Sequence, residues 1–164
     1  MNIFYLDSAP EKAAIMHCDK HCVKMILETA QLLCTAHREL DGDDHCDKND
    51  LYKSAFKNHP SAVWVRQCAD NYWWAYYLLV NLCEQYEIRY SKTHDCEKLL
   101  APLLTLPLYM PIDKDFTPPP QCMPDQYKGE DTVKAYRDYY LGEKMSFAVW
   151  KSTEVPAWVH ASGS

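Results

Sequence analysis

Residues 8–40 read SAPEKAAIMHCDKHCVKMILETAQLLCTAHREL, which is the pattern of one long helix. Ser8 and Glu11 have the spacing of a capping box, and Pro10 falls in the first turn, where its missing N–H does no harm. Polar residues then recur at intervals of three and four, so they stack along one side of a helix. This polar stripe consists of His17, His21, Lys24, Glu28, Gln31, Thr35 and Arg38. The other sides are apolar, which predicts a central helix.

The composition of the 164-residue chain favours a single all-α domain. Twelve Tyr and five Trp stand against only four Gly, which suits helices better than hairpins. We expect residues 1–161 to form one helical domain and residues 162–164 to be an added linker. No run of about 18 apolar residues and no signal peptide occurs. We therefore expect a cytoplasmic protein with no membrane contact.

Three helices are predicted, near residues 9–40, 59–90 and 131–151. His59 and Pro60 form a good start for the second helix, and Asp131 is the expected cap of the third. The two long helices are expected to pack as an antiparallel pair. Residues 101–130 hold most of the ten prolines, interleaved with apolar residues. This pattern predicts a long ordered loop wrapped over the helices.

Charge and cysteine content narrow the classes of protein further. The net charge of −6 argues against a protein that coats nucleic acid nonspecifically, although it allows a local basic patch. Most of the eight cysteines fall inside apolar helical patterns, so we expect free thiols that pack as small hydrophobes.

The polar stripe carries the candidate chemistry. His17 and His21 lie one helical turn apart and are able to handle protons near neutral pH. Asp19 falls on the opposite, apolar side, where a buried carboxylate needs a cationic partner. The candidates for that partner are Arg66, Arg89 and Arg137. The predicted catalytic residues are His17, Asp19, His21, Lys24 and Glu28.

Two other interpretations of the stripe stay open. Mixed Lys, Glu, Gln and Arg at helical spacing are also typical of a face that only meets water. A metal site is the other alternative, with His17 and His21 holding a divalent cation together with Glu28 and either His59 or His94. No cofactor is expected otherwise, because the sequence has no phosphate loop, nucleophile elbow or dinucleotide fingerprint.

Several short sequence patches are distributed along most of the chain. A short N-terminal segment precedes the polar-faced helix, and the further patches are HP at 59–60, EIRY at 87–90, MPDQYKG at 123–129, EK at 143–144 and PAW at 156–158. Together these patches resemble the phage pyrimidine-dimer DNA glycosylases, the endonuclease V family. The segment HCDKHCVKM at 17–25 also resembles uncharacterised phage proteins.

The resemblance implies an all-helical enzyme that grips kinked DNA and cleaves a glycosidic bond, with the N-terminal amine as nucleophile and a glutamate on the first helix. The position of that glutamate falls near His21 or Lys24. Lys24 is then a candidate amine for a Schiff base, with Glu28 or Asp19 as the carboxylate. The residues expected to bind DNA or substrate are Gln31, Arg38, His59, Asn71, Arg137 and Lys144.

The function predicted from the sequence is therefore a phage-type DNA enzyme that removes or processes a nucleobase. The alternatives are a metal-dependent helical enzyme acting on a small substrate, and a noncatalytic module on the same fold that binds nucleic acid or a protein partner.

Overall fold

The computed structural model describes residues 2–162, and within that range the protein is all-helical, with no strand. Met1 and the last two residues of the expected linker, Gly163 and Ser164, lie outside the described residues. The α-helices are α1 (Pro10–Met16), α2 (Asp19–Asp41), α3 (Asp44–Lys48), α4 (Pro60–Val65), α5 (Ala69–Tyr90), α6 (Leu100–Leu103), α7 (Thr132–Glu143) and α8 (Ala157–Ser162). Short 3-10 helices span Asp95–Leu99 and Asp125–Tyr127.

The two long helices, α2 and α5, form the antiparallel pair that the sequence predicted. Asp19 at the start of α2 meets Arg89 at the end of α5, with 3.2 Å between the carboxylate and the guanidinium. At the other end of the pair, Nε2 of His37 lies 2.8 Å from the Tyr72 hydroxyl. One apolar core surrounds this pair and extends to α7, so the prediction of a single all-α domain is confirmed.

The first predicted helix is interrupted, because His17 and Cys18 have extended backbone between α1 and α2. The carbonyls at the end of α1 are satisfied by distant residues: Arg89 donates to Ile15 and His17, and the Trp150 indole donates to Met16. These partners come from 70 residues or more along the chain. Helical periodicity therefore could not reveal the break.

The predicted capping box at Ser8 is wrong. The first helix begins after Ala9, and no side chain caps its N-terminus. The carboxylate of Asp7 instead accepts a hydrogen bond from the Ala9 N–H at 2.9 Å. Pro10 does occupy the first turn, where it lacks only an N–H that would have no helical partner.

The second predicted helix is also divided, at residues 66–68 between α4 and α5. The predicted helix start at His59 and Pro60 is confirmed for α4, and His59 caps this helix by accepting the Ser61 N–H on Nδ1 at 3.1 Å. Asn71 donates to the Trp64 carbonyl at the end of α4, and the Ala69 N–H donates to Pro111. The break is therefore stabilised by a side chain of α5 and by the proline-rich loop.

The proline-rich loop is ordered over the helices, as expected. The Trp64 indole donates to the Thr117 carbonyl at 2.8 Å, and the Tyr136 hydroxyl donates to the Pro120 carbonyl. Asn2 donates to Cys122, so the loop also holds the N-terminal segment. Residues 3–6 of that segment are buried in the core.

The third predicted helix begins where expected but is shorter. Asp131 caps α7 by accepting the Lys134 N–H at 3.1 Å, and α7 ends at Glu143 rather than near residue 151. The chain then turns back so that the Lys151 N–H donates to the Asp19 carboxylate at 3.0 Å. This return brings residues 144–150 beside the start of α2.

All eight cysteines are free thiols, as predicted, and seven of them are buried. Burial raises the pKa of Cys22 to about 11 and that of Cys34 to about 12, so these thiols stay protonated near neutral pH. No helix within residues 2–162 is long and apolar enough to cross a bilayer.

Arg89 provides the test of this architecture. Its guanidinium serves two α1-end carbonyls and the Asp19 carboxylate, so Arg89→Met leaves these buried acceptors unpaired. We expect the free energy of unfolding to fall by about 3–5 kcal/mol. In urea denaturation, the double variant Asp19→Asn/Arg89→Met should lose less than the two single variants added together, since it leaves no orphaned charge. The exposed Lys92→Met is the control, with a change within about 0.5 kcal/mol. Strict additivity would contradict this role for Arg89.

Candidate functional site

His21 lies at the centre of the candidate site, in the first turn of α2. Its side chain is held on two sides: Nδ1 lies 2.6 Å from the Tyr140 hydroxyl of α7, and the ring packs against Phe4 at a centroid distance of 4.5 Å, with 30° between the ring planes. The residue is only 4% exposed. Three segments that are distant in sequence, the N-terminal segment, α2 and α7, therefore position one imidazole.

Tyr140 links His21 to the break before α2. Its hydroxyl accepts a hydrogen bond from the Cys18 N–H at 3.3 Å and lies 3.5 Å from the Cys18 thiol. Burial raises the pKa of Tyr140 well above its ordinary value. The phenol is therefore protonated at neutral pH and fixes the orientation of the imidazole.

Positive charge surrounds this buried imidazole. The pKa of His21 is lowered to about 3, first by burial and next by His17. Three lysines, Lys144, Lys24 and Lys20, act in the same direction. His21 is therefore neutral at physiological pH, and the lysines form a local basic group on a chain whose net charge is −6. We call Lys20, Lys24 and Lys144 the lysine cluster.

An amine and a carboxylate lie side by side on the polar stripe one turn beyond His21. The ammonium of Lys24 is 3.9 Å from the Glu28 carboxylate, and the two side chains are 64% and 17% exposed. Burial lowers the pKa of His59, while the charge of Glu28 raises it. Glu28 therefore connects the stripe with the N-terminus of α4.

A groove lies beside Lys24 and Glu28 on the surface of α2. It has a volume of about 420 Å³ and is lined by Val23, Leu27, Tyr52, His94, Lys24 and Glu28, among others. Val23 and Leu27 are 37% and 43% exposed. Lys24 and Glu28 thus line a largely apolar groove, and Lys24 also belongs to the lysine cluster.

The far end of the polar stripe is structural, which corrects the prediction for Arg38. Its side chain is 3% exposed and pairs with Asp43 at 2.8 Å and Asp47 at 3.0 Å. It also donates to the carbonyls of Leu51 and Tyr52. A guanidinium buried against these partners organises α3 and the following loop, and it is not available to a phosphate.

Asp19 also serves the fold. It lies on the apolar side as predicted, and its partner among the three expected arginines is Arg89. Its second oxygen accepts the Lys151 N–H. Both oxygens are therefore committed to holding the C-terminal return and α5 against α2, which leaves little capacity for a catalytic role.

His17 lies in the core beside the site. It is fully buried, with Nδ1 2.6 Å from the Ala13 carbonyl and no hydrogen-bond partner on Nε2. Burial lowers its pKa to about 4, although the bond to Ala13 opposes that change. His17 is thus a neutral neighbour of His21 without access to solvent.

The residues expected to bind DNA or substrate divide into two groups. Lys144 and the half-buried Gln31 and His59 remain around the exposed part of the stripe. Asn71 is 1% exposed and binds Trp64 and Thr117, so burial removes it from any surface site, contrary to prediction.

Arg137 of α7 lies apart from the lysine cluster. It donates to the Leu6 carbonyl at 2.8 Å and lies over the Trp158 ring, 5.7 Å from its centroid. It lines a separate groove of about 420 Å³ with Asp131, Asp138 and Trp158. The structure therefore does not bring Arg137 together with the stripe.

Several residues of the site escaped sequence analysis. Lys20 falls outside the polar stripe, and Phe4, Tyr139, Tyr140 and Phe147 read simply as apolar core. Tyr140 lies seven residues after Val133 on the buried side of α7, a position with no signal of its own. The HCDKH segment did contain Lys20, next to His21.

The donor set for a metal is incomplete in the described part of the chain. Residues 2–162 contain no group of three or more His, Cys, Asp or Glu side chains arranged to hold a metal ion. His94, an alternative ligand in the sequence-based hypothesis, instead accepts the Cys96 N–H at 3.0 Å. The N-terminal amine, which the resemblance would use as nucleophile, belongs to Met1 and lies outside the described residues.

Comparisons with protein-family models, with curated proteins and with solved structures gave no match to this chain.

Buried neutral histidines predict a pH dependence of stability. The pKa values of His17 and His37 are lowered by burial from 6.5 to about 4, and that of His21 to about 3. Below pH 6.5 these histidines therefore bind protons in the unfolded chain but stay unprotonated in the folded chain. Stability should fall as the pH drops from 7 to 4, by up to about 1.4 kcal/mol per pH unit for each histidine.

This slope is measurable by urea denaturation at pH 7, 6 and 5. His37→Phe should reduce the slope of the free energy of unfolding against pH by the contribution of one histidine, whatever its effect on stability at pH 7. His160→Gln, at an exposed position, is the control and should leave the slope unchanged. A free energy of unfolding that is constant between pH 7 and 5 would contradict the burial of neutral imidazoles.

Proposed function

We propose that this chain is a DNA enzyme that acts on a nucleobase, in the manner of a DNA glycosylase. The observation that carries the proposal is the position of the lysine cluster around the rings of the site: Lys20 lies over Phe147, which contacts His21, and Lys144 lies over Tyr139. Lys24 follows His21 by about one turn of α2. Like charges gathered on one surface repel one another, and an anionic ligand would relieve that repulsion. Phosphates of a nucleic acid backbone supply such anions at regular spacing.

The charge distribution supports a specific orientation on DNA. The opposite end of α2 carries an acidic segment at 41–50, with Asp43 and Asp47 paired to Arg38. A phosphate backbone should therefore approach the start of α2 and avoid its end. This distribution suits a protein that places DNA in one register, because uniform attraction would require a basic body.

Lys24 and Glu28 are the proposed reacting groups. A glycosylase that uses an amine needs a nucleophile to attack C1′ of the sugar as the base leaves, and a carboxylate to stabilise the positive charge that develops on the sugar. Lys24 and Glu28 present these two groups 3.9 Å apart, with the amine side chain 64% exposed and the carboxylate side chain 17% exposed. The neutral His21, which Tyr140 holds and which is only 4% exposed, is the proposed positioning residue that supports the Phe4 and Phe147 rings behind these groups.

The expected place of action is the host cytoplasm, where such an enzyme meets phage or host DNA. This location belongs to the proposal, as do DNA as partner and the release of a base as reaction.

Lysine substitutions test the binding half of this proposal. Lys24→Ala and Lys144→Ala should each weaken binding to duplex DNA severalfold and lower the slope of log affinity against log salt by about 1, since each removes a phosphate contact. Fluorescence anisotropy with labelled duplex at several salt concentrations measures both effects. Lys57→Ala is the matched control, because Lys57 pairs with Glu39 near the far end of α2. Equal losses in all three variants, or no binding at low salt, would contradict the proposal.

Lys24→Arg separates binding from chemistry. Arginine keeps the charge, so affinity for DNA should persist, but a guanidinium cannot form the Schiff base that borohydride traps. Damaged and modified duplexes are the substrates for trapping. Trapping of Lys24→Arg at the level of the unaltered protein would exclude Lys24 as the nucleophile while leaving DNA binding intact.

A further inference from the structure

A continuous row of aromatic rings crosses the site. Tyr127 meets Tyr139 at a centroid distance of 5.6 Å, and Tyr139 lies nearly parallel to Phe4 at 6.2 Å. The row continues from Phe4 to His21 at 4.5 Å and from His21 to Phe147 at 5.5 Å. Phe4 and His21, in the middle, are buried, whereas the three outer rings are only partly buried. The row thus reaches the surface at both ends.

One lysine lies over the ring at one end of the row, and another lies over the second ring from the other end. The Lys20 ammonium is 4.5 Å from the centroid of Phe147, and the Lys144 ammonium is 4.7 Å from the centroid of Tyr139. Both lysines belong to the cluster that lowers the pKa of His21. Cation–ring contacts of this kind are weak at exposed sites, so a flat ligand with an attached anion can displace the ammonium from the ring towards its own charge.

The ring row is held in place by the backbone of α7. Gly142 leaves room for Tyr127, because a Cβ at this position would overlap the tyrosine ring and hydroxyl. Tyr139 lies one turn earlier on the same helix. The ring row is therefore a platform that is already formed in the free protein. This reduces the loss of conformational freedom that ligand binding would require.

We propose that Tyr139 and Phe147 are stacking positions for unpaired nucleobases of a DNA strand, and that Lys144 and Lys20 contact the phosphates next to those bases. Aromatic faces alternating with cations are the arrangement that recognises unpaired nucleic acid, because every base offers a π face and every nucleotide a phosphate. This inference rests on the proposed function and adds the ligand class: a strand with bases out of the duplex, either single-stranded or locally opened.

A single-stranded oligonucleotide with 2-aminopurine at one position is the probe. Stacking on the platform should quench its fluorescence beyond the level in the free strand. Tyr139→Leu and Phe147→Leu keep apolar bulk but remove the ring, and each should weaken binding about tenfold and reduce the quenching. Tyr139→Phe keeps the ring and should bind like the unaltered protein. Tyr109→Leu, at a 73% exposed tyrosine that binds Asp41 at the far end of α2, is the matched control.

Gly142→Ala provides a second variant whose effect does not depend on replacing a stacking ring. The added methyl group should displace Tyr127 and weaken the quenching, while leaving the lysines in place. Circular dichroism and thermal unfolding identify any variant that fails to fold. The affinity and fluorescence quenching of the remaining variants then test whether bases stack on the platform. Unchanged affinity and quenching in the folded Leu variants would overturn the platform.

The outcomes separate this inference from the proposed function. If duplex and single strands bind with the predicted dependence on lysines and salt, but without quenching, the platform is overturned and the proposed function stands. If quenching depends on the rings but no base is released from any duplex, the platform stands and the enzymatic proposal fails. If no oligonucleotide binds at low salt, or an apolar peptide is bound instead, both are overturned.

Discussion

The guanidinium of Arg89 is the constraint on which the site depends. It holds the carbonyls of Ile15 and His17 and the carboxylate of Asp19, and thereby stabilises a break that would otherwise leave buried acceptors unpaired. Because of the break, α2 begins at Asp19 as a helix separate from α1. As a result His21 in its first turn faces the N-terminal segment and α7, and the ordered return of residues 149–151 can pair with Asp19. A continuous helix would not free these backbone groups for their distant partners.

The electrostatics of the site differ from those of the rest of the fold. The two buried arginines of the α2–α5 pair are compensated by carboxylates: Arg38 has Asp43 and Asp47, and Arg89 has Asp19. Around His21, three lysines approach an imidazole that burial already keeps neutral. An arrangement that lowers stability without a structural benefit is typical of a functional site. In the proposed function, the side-by-side amine and carboxylate of Lys24 and Glu28 supply the reactive groups, and the ring row supplies the surface for flat ligands.

Local signals in the sequence were enough to predict the class of fold and the positions of several helix ends. The antiparallel pair, the cap at Asp131 and the helix start at His59 were predicted correctly because each follows from periodicity or from residues within three positions. Both breaks in the long helices were missed, since their stabilising partners, Arg89 and Asn71, come from α5. Of the stripe, the structure has Lys24 and Glu28 side by side, with His21 one turn before them on α2. Periodicity alone could not show that the chain after α3 covers Arg38, or that α7 encloses His21.

The proposed function requires that nucleic acid bind at the start of α2, around His21. The most direct measurement is the map of amide chemical-shift changes in the ¹⁵N-labelled protein as a short single-stranded oligonucleotide is added. We expect the changes to concentrate at residues 20–31, 59–61, 127 and 139–147, and to shrink as salt is raised. The amides near Asp41, Asp47 and Leu108, at the acidic end of α2, should stay unchanged. Changes centred on that acidic end, or none at low salt, would contradict the account.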